Sequence, residues 1–488
     1  MSEIADNTAI TFGTDGWRAV VADDFTYERV RAVAQGVAAF LTGDDRPVVV
    51  GHDARFSAEL FAREVARVLA ANDKKVLLID HVAATPAVSW TVVDRGAAGA
   101  VVVTASHNPA EFNGLKYKSD AGGSAARSVF DTLGVESNRA LTTGAKTMSF
   151  ADAQDAGRVQ LVDAKPAYFT QVGRMVDLPR LRDAGLKILH EAMYGAGAGD
   201  IAALLDGGKS TVDQLHCERN PSFAGMHPEP IGRYMPEALA VMAREGHDLC
   251  IANDGDADRV GIIDEHGTFI NQQQVAGLLA MYLLEKKGER GDLVRSLTST
   301  SMLDTLGERF GVPVHETPVG FPFIGKKMVE TNALFAAEES GGFAFRGHLP
   351  ERDGILAGLF IAEMCVVYGK PLSGVLEHLV ELVGPRGYAR DDIRFERDGY
   401  AERKVAVYEQ MAKAAPSEIA GVKVVRTRTD DGFKFFLADG SWVLMRMSGT
   451  EPLMRVYSEA DTQDRVDALM KGLESLLGVA PELAGAVH

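Results

Sequence analysis

Pro47-Val48-Val49-Val50-Gly51-His52-Asp53 is an aliphatic run that ends in small and polar residues. The stretch after it, residues 57–70, sets Phe61, Val65, Val68 and Leu69 on one face of a helix. A strand, a polar turn and a helix make the opening of an α/β unit. The same design returns at Leu186-Lys-Ile-Leu-His190-Glu-Ala-Met-Tyr-Gly195-Ala-Gly and at Asp292-Leu-Val-Arg-Ser-Leu-Thr-Ser-Thr300. The openings lie more than 100 residues apart, the length of whole domains. Near-continuous apolar runs at 75–80 and 99–104 fit strands buried on both faces of a mainly parallel sheet. The expectation is α/β: three similar α/β domains with mixed, mainly parallel sheets, plus a smaller C-terminal α+β domain. Strands at 422–429, 433–437 and 442–445 and a helix at 462–477 build that last unit. The expected domains are 1–155, 156–266, 267–380 and 381–488.

The 488 residues suit three to four domains. A net charge of −17 argues against a nucleic-acid binder, which needs a basic footprint. It also means that a phosphate-ester ligand would require a local cluster of cations within an acidic field. The start of the chain lacks the basic and apolar segments of a secretory signal. The most apolar stretch, 354–368, is too short for a span and carries Glu363, so it reads as a buried helix with no membrane partner. Cys217, Cys250 and Cys365 are odd in number and far apart, which suits neither a disulfide framework nor a metal spacing. A reduced, cytoplasmic compartment is expected.

Five motifs carry chemistry. Val101-Val-Val-Thr-Ala-Ser106-His107-Asn-Pro109 ends a strand in a polar loop, where ligands of open α/β sheets gather. Small Ala105 and the Asn108-Pro109 turn are expected to leave the Ser106 hydroxyl accessible. A serine nucleophile needs a base or local charge, which His107 and Lys116 would supply as cations or proton carriers. Alone, this motif would read as a capped turn. Asp254-Gly-Asp256-Ala-Asp258-Arg259 sets three carboxylates at alternate positions, an oxygen-only set for Mg²⁺ or Ca²⁺. With Glu265 these match EF-hand spacing, but Arg259 stands where that loop needs glycine, and both flanks read as strands. Glu338 and Ser340 in Ala337-Glu-Glu-Ser-Gly-Gly342 face one side and suit vicinal hydroxyls. Arg446-Met-Ser448-Gly449-Thr450-Glu-Pro, followed by Arg455, combines planar guanidinium forks with a glycine-containing turn, as a phosphate cradle does. Thr11-Phe-Gly-Thr-Asp-Gly-Trp-Arg18 adds a cation on a glycine loop.

In this order, from Phe12 to Arg455, the motifs resemble the α-D-phosphohexomutase family of phosphoglucomutases and phosphomannomutases. The resemblance implies an isomerase of four domains around one cleft. Ser106 would carry the phosphoryl group, making the chain a phosphoprotein. Asp254, Asp256 and Asp258 would hold Mg²⁺, with an oxygen of phosphorylated Ser106. Lys116 and Arg18 would lie near the transferring group, Lys116 as general acid–base, and His107 beside the serine. Glu338 and Ser340 would contact sugar hydroxyls, while Arg446, Ser448, Gly449, Thr450 and Arg455 would grip the non-reacting phosphate. Arg259 follows the metal ligands, and Arg352 stands where relatives often have lysine. After Gly320 the chain reads Phe321-Pro322 where many relatives have a cation, so one substrate contact differs. His190 stands where an aspartate commonly opens the turn of the second domain. The implied activity interconverts hexose 1-phosphate and hexose 6-phosphate, with a hexose 1,6-bisphosphate as intermediate and activator. The form of the sugar loop favours glucose, with a phosphomannomutase or a dual-specificity enzyme as the alternative. A non-catalytic sugar-phosphate-binding protein and a metal-dependent phosphatase are rivals of other classes. The expected partners are small sugar phosphates, with the chain a monomer or homodimer.

Overall fold

Val48–His52 lies inside a six-stranded sheet, as its aliphatic run requires. The computed structural model describes residues 9–396, 398–448 and 452–477. The order across this first sheet is Trp17–Val20, Phe112–Lys118, Gly99–Val103, Val48–His52, Val76–Val82 and Val159–Val162. The last four strands run parallel, and the first two join antiparallel at one edge. Alternate side chains feed two cores: Val48, Val50 and Val101 face one, Val49, Ala100 and Val102 the other. Burial on both faces explains the absence of polar alternation in these strands.

The second sheet orders Phe269–Ile270, Val260–Asp264, Leu249–Asn253, Lys187–Glu191 and Thr211–Leu215, the last three parallel. The third orders Val314–Thr317, Leu293–Ser296, Phe335–Ala337 and Phe343–Phe345, with one antiparallel pair at the end. The fourth is wholly antiparallel: Gly387–Arg394, Leu453–Ala460, Trp442–Met447, Phe433–Leu437, Val422–Arg428 and Glu418–Ile419. The chain is therefore three α/β units with mixed sheets followed by a smaller α+β unit. Val159–Val162 belongs to the first sheet and Phe269–Ile270 to the second, each a few residues beyond the expected divisions at 155 and 266.

One apolar core runs through the first three units, from Val49 to Val383. Its centre is the helix Gly354–Tyr368, apolar on every side, so it is buried all round rather than amphipathic. Its one carboxylate, Glu363, accepts hydrogen bonds from Tyr282 Oη at 2.8 Å and the Asp177 N–H at 2.7 Å. Among the described residues no single helix is long and apolar enough to cross a membrane. The last unit has its own core between its sheet and the helices Tyr400–Ala414 and Gln463–Leu477. It meets the third unit through a small cluster of Leu297, Trp442, Leu444 and Tyr457.

Candidate active site

Ser106 stands just past the carboxyl end of Gly99–Val103, in a left-handed backbone conformation (φ 51°) that costs a non-glycine residue free energy. The surroundings hold it there. Its N–H donates to Thr104 Oγ1 at 2.8 Å, and Thr104 in turn donates to Asp53 Oδ2 at 2.6 Å. The buried Arg55 guanidinium donates to the carbonyls of Ser106, Asn108, Pro109 and Phe112. Burial raises the Asp53 carboxyl to about 6, against the pull of Arg55 and Thr104. The expected accessible hydroxyl is not observed: Ser106 is 1% exposed, and Oγ donates to Asp254 Oδ2 at 2.7 Å. The loop that was to expose it is covered by the second unit. Gly255 permits this approach, because a Cβ there would lie 2.5 Å from the Ser106 carbonyl oxygen. His107 Nδ1 is 3.5 Å from Ser106 Oγ. Burial, then Arg259 and Arg18, hold its pKa well below the ordinary histidine range, so His107 is neutral and supplies no cation. Arg18 reaches the same loop, donating to Asn108 Oδ1 at 2.6 Å.

Asp254, Asp256 and Asp258 occupy the turn between the antiparallel strands Leu249–Asn253 and Val260–Asp264. Each offers a carboxylate oxygen within 4.8 Å of the others, and all are fully buried. The strand flanks are as expected for a non-EF-hand loop, and Glu265 is engaged elsewhere, accepting from Ser373. Lys116 Nζ donates to Asp256 Oδ2 at 2.8 Å and Asp258 Oδ2 at 2.7 Å, and lies 3.0 Å from Asp15 Oδ2. Arg352 Nη2 sits 2.6 Å from Asp15 and 3.1 Å from Asp258. Burial opposes ionisation of Lys116, but Asp15, Asp256 and Asp258 outweigh it and raise its pKa. Burial also opposes the Asp256 charge, which Lys116 and Thr85 restore. Asp254 is pushed well above the carboxylate range by burial and by its two neighbours. Asp15, Asp256 and Asp258 thus share Lys116 and Arg352, Asp15 also meets Lys118 at 3.3 Å, and the buried Oδ1 atoms of Asp256 and Asp258 have no hydrogen-bond partner. An oxygen-only donor set with two spare buried oxygens fits a hard divalent cation.

The third unit closes over this cluster. Arg259 donates its N–H to Asp254 Oδ1 at 3.1 Å and pairs with Glu229 at 3.5 Å. Gly354 N–H donates to the Ala257 carbonyl, and a Cβ at Gly354 would lie 2.1 Å from the Arg259 carbonyl oxygen. Glu338 and Ser340 do share a side: Ser340 Oγ donates to Glu338 Oε2 at 2.6 Å. Burial raises the Glu338 carboxyl against the pull of Arg352. Gly320 begins the helix Phe321–Thr331, with Pro322 tolerated in its first turn. The Phe321 ring lies 5.1 Å beneath the Arg352 guanidinium, so this position holds a cation in place rather than supplying one.

On the fourth sheet Arg446 and Arg455 stand directly opposite one another. Arg446 Nε donates to Asp431 Oδ1 at 2.8 Å, and Arg455 Nε lies 3.6 Å from Asp392 Oδ1. The Ser448 carbonyl accepts from Tyr400 Oη at 2.8 Å. Gly449 and Thr450 lie outside the described residues. Sequence reading missed Asp15, Arg55, Thr85 and Asp431. Asp15 falls inside a motif already singled out, between Gly13 and Gly16. Arg55 has a near partner in Asp53, but its contact to the Ser106 loop, and those of Thr85 to Asp256 and of Asp431 to Arg446, join residues 15 to 171 apart in sequence.

Comparison with known proteins agrees over most of the chain. Phosphoglucomutase/phosphomannomutase models match as α/β/α domain I at 9–139, domain II at 166–267, domain III at 271–383 and the C-terminal domain at 402–474. A phosphoglucomutase/phosphomannomutase of Thermococcus kodakarensis is 29% identical over 93% of this chain and 95% of its own. A phosphopentomutase of the same organism is 30% identical, over 94% and 96%. A solved structure from Thermus thermophilus, provisionally named a phosphomannomutase, superposes with a TM-score of 0.83 at 33% identity, covering 96% of this chain and 99% of that one. With four domain models in order, and Ser106 from the first unit held against the three aspartates of the second, the chain belongs to the α-D-phosphohexomutase family and is a phosphomutase.

Proposed function

We propose that the chain interconverts hexose 1-phosphate and hexose 6-phosphate, glucose favoured, with Ser106 as the phosphoryl carrier. The observation that carries this reading is the Ser106 hydroxyl donating to Asp254, the first of three buried aspartates from a different unit. Asp254, Asp256 and Asp258 would hold Mg²⁺ together with an oxygen of phosphorylated Ser106. Bound there, Mg²⁺ neutralises charge on the transferring phosphoryl group.

The chain's own groups do the rest. The Ser106 O–P bond breaks as a bond forms from phosphorus to a sugar hydroxyl oxygen. One proton passes from that hydroxyl to Ser106 Oγ, giving serine and a hexose 1,6-bisphosphate. Lys116 is held protonated, so it acts first as the acid toward Ser106 Oγ and then accepts the hydroxyl proton. Arg18, Arg259 and Arg352 add positive charge around the moving group, while His107 stays neutral beside it. Glu338 and Ser340 take the sugar hydroxyls. Arg446, Ser448, Gly449, Thr450 and Arg455 grip the non-reacting phosphate, and Gly320 lets the loop of the third unit approach. The bisphosphate turns over and returns its other phosphate to Ser106, so bisphosphate also serves as activator. We place the edges of the four units at 162, 270 and 383, where the closing strand or helix of each ends.

The test joins intact-mass and peptide mapping for one phosphate on Ser106 to a mutase assay. Ser106→Ala should lose the phosphate and the turnover while remaining folded; an active Ser106→Ala chain would sink the mechanism. Release of free phosphate without sugar 6-phosphate would favour a phosphatase. The substrate panel should hold the 1-phosphates of glucose, mannose, glucosamine and a pentose, because the phosphopentomutase relative is as similar as the hexomutase one.

A further inference from the structure

Asp431 lies in the turn before the strand Phe433–Leu437, and its carboxylate is divided between two units. Oδ1 accepts from Arg446 Nε at 2.8 Å, within the last unit. Oδ2 accepts from the Val319 backbone N–H at 2.9 Å, in the third unit. Val319 precedes Gly320, whose backbone (φ 119°) packs beside Thr14 of the first unit, 3.8 Å from where a Cβ would be. The Arg446 side chain needs a fixed partner, since Arg455 directly opposite it repels it. Neighbouring bonds hold the seam on which this contact depends. Lys434 Nζ donates to the Leu297 carbonyl and to Glu316 Oε2, both at 2.6 Å, and Arg428 donates to Glu316 Oε1 at 2.8 Å. Were the seam to open, Asp431 would lose the Val319 N–H and be free to rotate away from Arg446.

We propose that Asp431 is a positioning residue: it aims the Arg446 guanidinium at the non-reacting phosphate when the last sheet is docked on the third unit, making phosphate grip and docking one event. This deepens the proposed function and rests on its reading of Arg446 as a phosphate contact. By linkage, phosphate held at Arg446 must stabilise docking as much as docking aids the grip.

The experiment compares the full chain with Asp431→Asn, Arg446→Ala and the double variant, on the preferred sugar 1-phosphate of the panel above. The amide of Asp431→Asn can accept at one end only, so the variant loses one of the two links. The expected result is a rise in KM of about tenfold, the effect of one lost charge-assisted hydrogen bond, with kcat altered by less than about twofold. In the Arg446→Ala background the same substitution should add less than about twofold. A full, independent tenfold increment there would overturn the proposal while leaving the reading of Arg446 intact. An Arg446→Ala chain with unchanged KM would overturn both. A second measurement needs no variant. Hydrogen exchange at the Val319 amide should slow when inorganic phosphate is added to the unsubstituted protein, and an unchanged rate would overturn the coupling.

Discussion

The Lys116 ammonium touches three carboxylates from two units: Asp15 in its own, Asp256 and Asp258 in the second. Removing one partner from such a buried group costs about 3–5 kcal/mol, because the remaining charges stay desolvated. Lys116→Met should therefore melt earlier and lose at least about a hundredfold in turnover, the usual share of an acid–base group. Its pH dependence follows from sign. The folded pKa lies above the unfolded one, so the stabilisation is complete below the unfolded lysine value and fades only as pH rises past it. The loss of melting temperature should thus be constant between about pH 8 and about pH 10; a loss that vanishes across that range would contradict the raised pKa. Ser106, the aspartates and Lys116 were legible because each sits in a dense local motif. Asp15 was not, since its meaning comes from Arg352, 337 residues away. For His107 the sequence offers a cation or a proton carrier, and burial, then Arg259 and Arg18, weigh against the cation.

Among elements, the last sheet was the least legible. Gly387–Arg394 and Leu453–Ala460 are its longest strands, and neither was expected. In both, alternate positions carry Arg390, Asp392, Arg455 and Tyr457 on the face turned away from the helices, so the strands lack an apolar signal. That face docks on the third unit through Glu316, which pairs with Arg295, Lys434 and Arg428. Burial opposes the Glu316 charge, yet these three cations hold its pKa down at about 2. Lys434, the most enclosed of them, is pushed down to about 7 by burial and by Arg295. A depressed carboxyl stabilises the fold above its unfolded pKa, and that contribution is lost as pH falls from about 4.5 through about 2. Glu316→Gln should lower the melting temperature at pH 7 and flatten its decline on acidification. An equally steep acid decline in the variant would place the titrating group elsewhere.

At the scale of the whole molecule, the aspartate cluster is where three units meet. Ser106 from the first touches Asp254 from the second, and Arg352 from the third touches Asp258. Crowding has a cost there: burial, then Asp256 and Asp258, push the Asp254 carboxyl well above its ordinary range, and two buried aspartate oxygens have no hydrogen-bond partner. A cation that binds the folded site and not the unfolded chain stabilises by mass action, by about 2.7 kcal/mol at a hundred times its Kd. Mg²⁺ should therefore raise the melting temperature in a saturable way, and chelation should reverse the rise and stop turnover together. Asp256→Asn keeps the size and the Thr85 contact region but removes one ligand charge, so the Mg²⁺-dependent increment should largely disappear. Its melting temperature without Mg²⁺ should fall less than that of Lys116→Met, because the substitution also relieves repulsion within the triad. A Mg²⁺ response that survives Asp256→Asn at full size would mean that the ion stabilises the chain at another place, and that the three aspartates serve Lys116 and Arg352 alone.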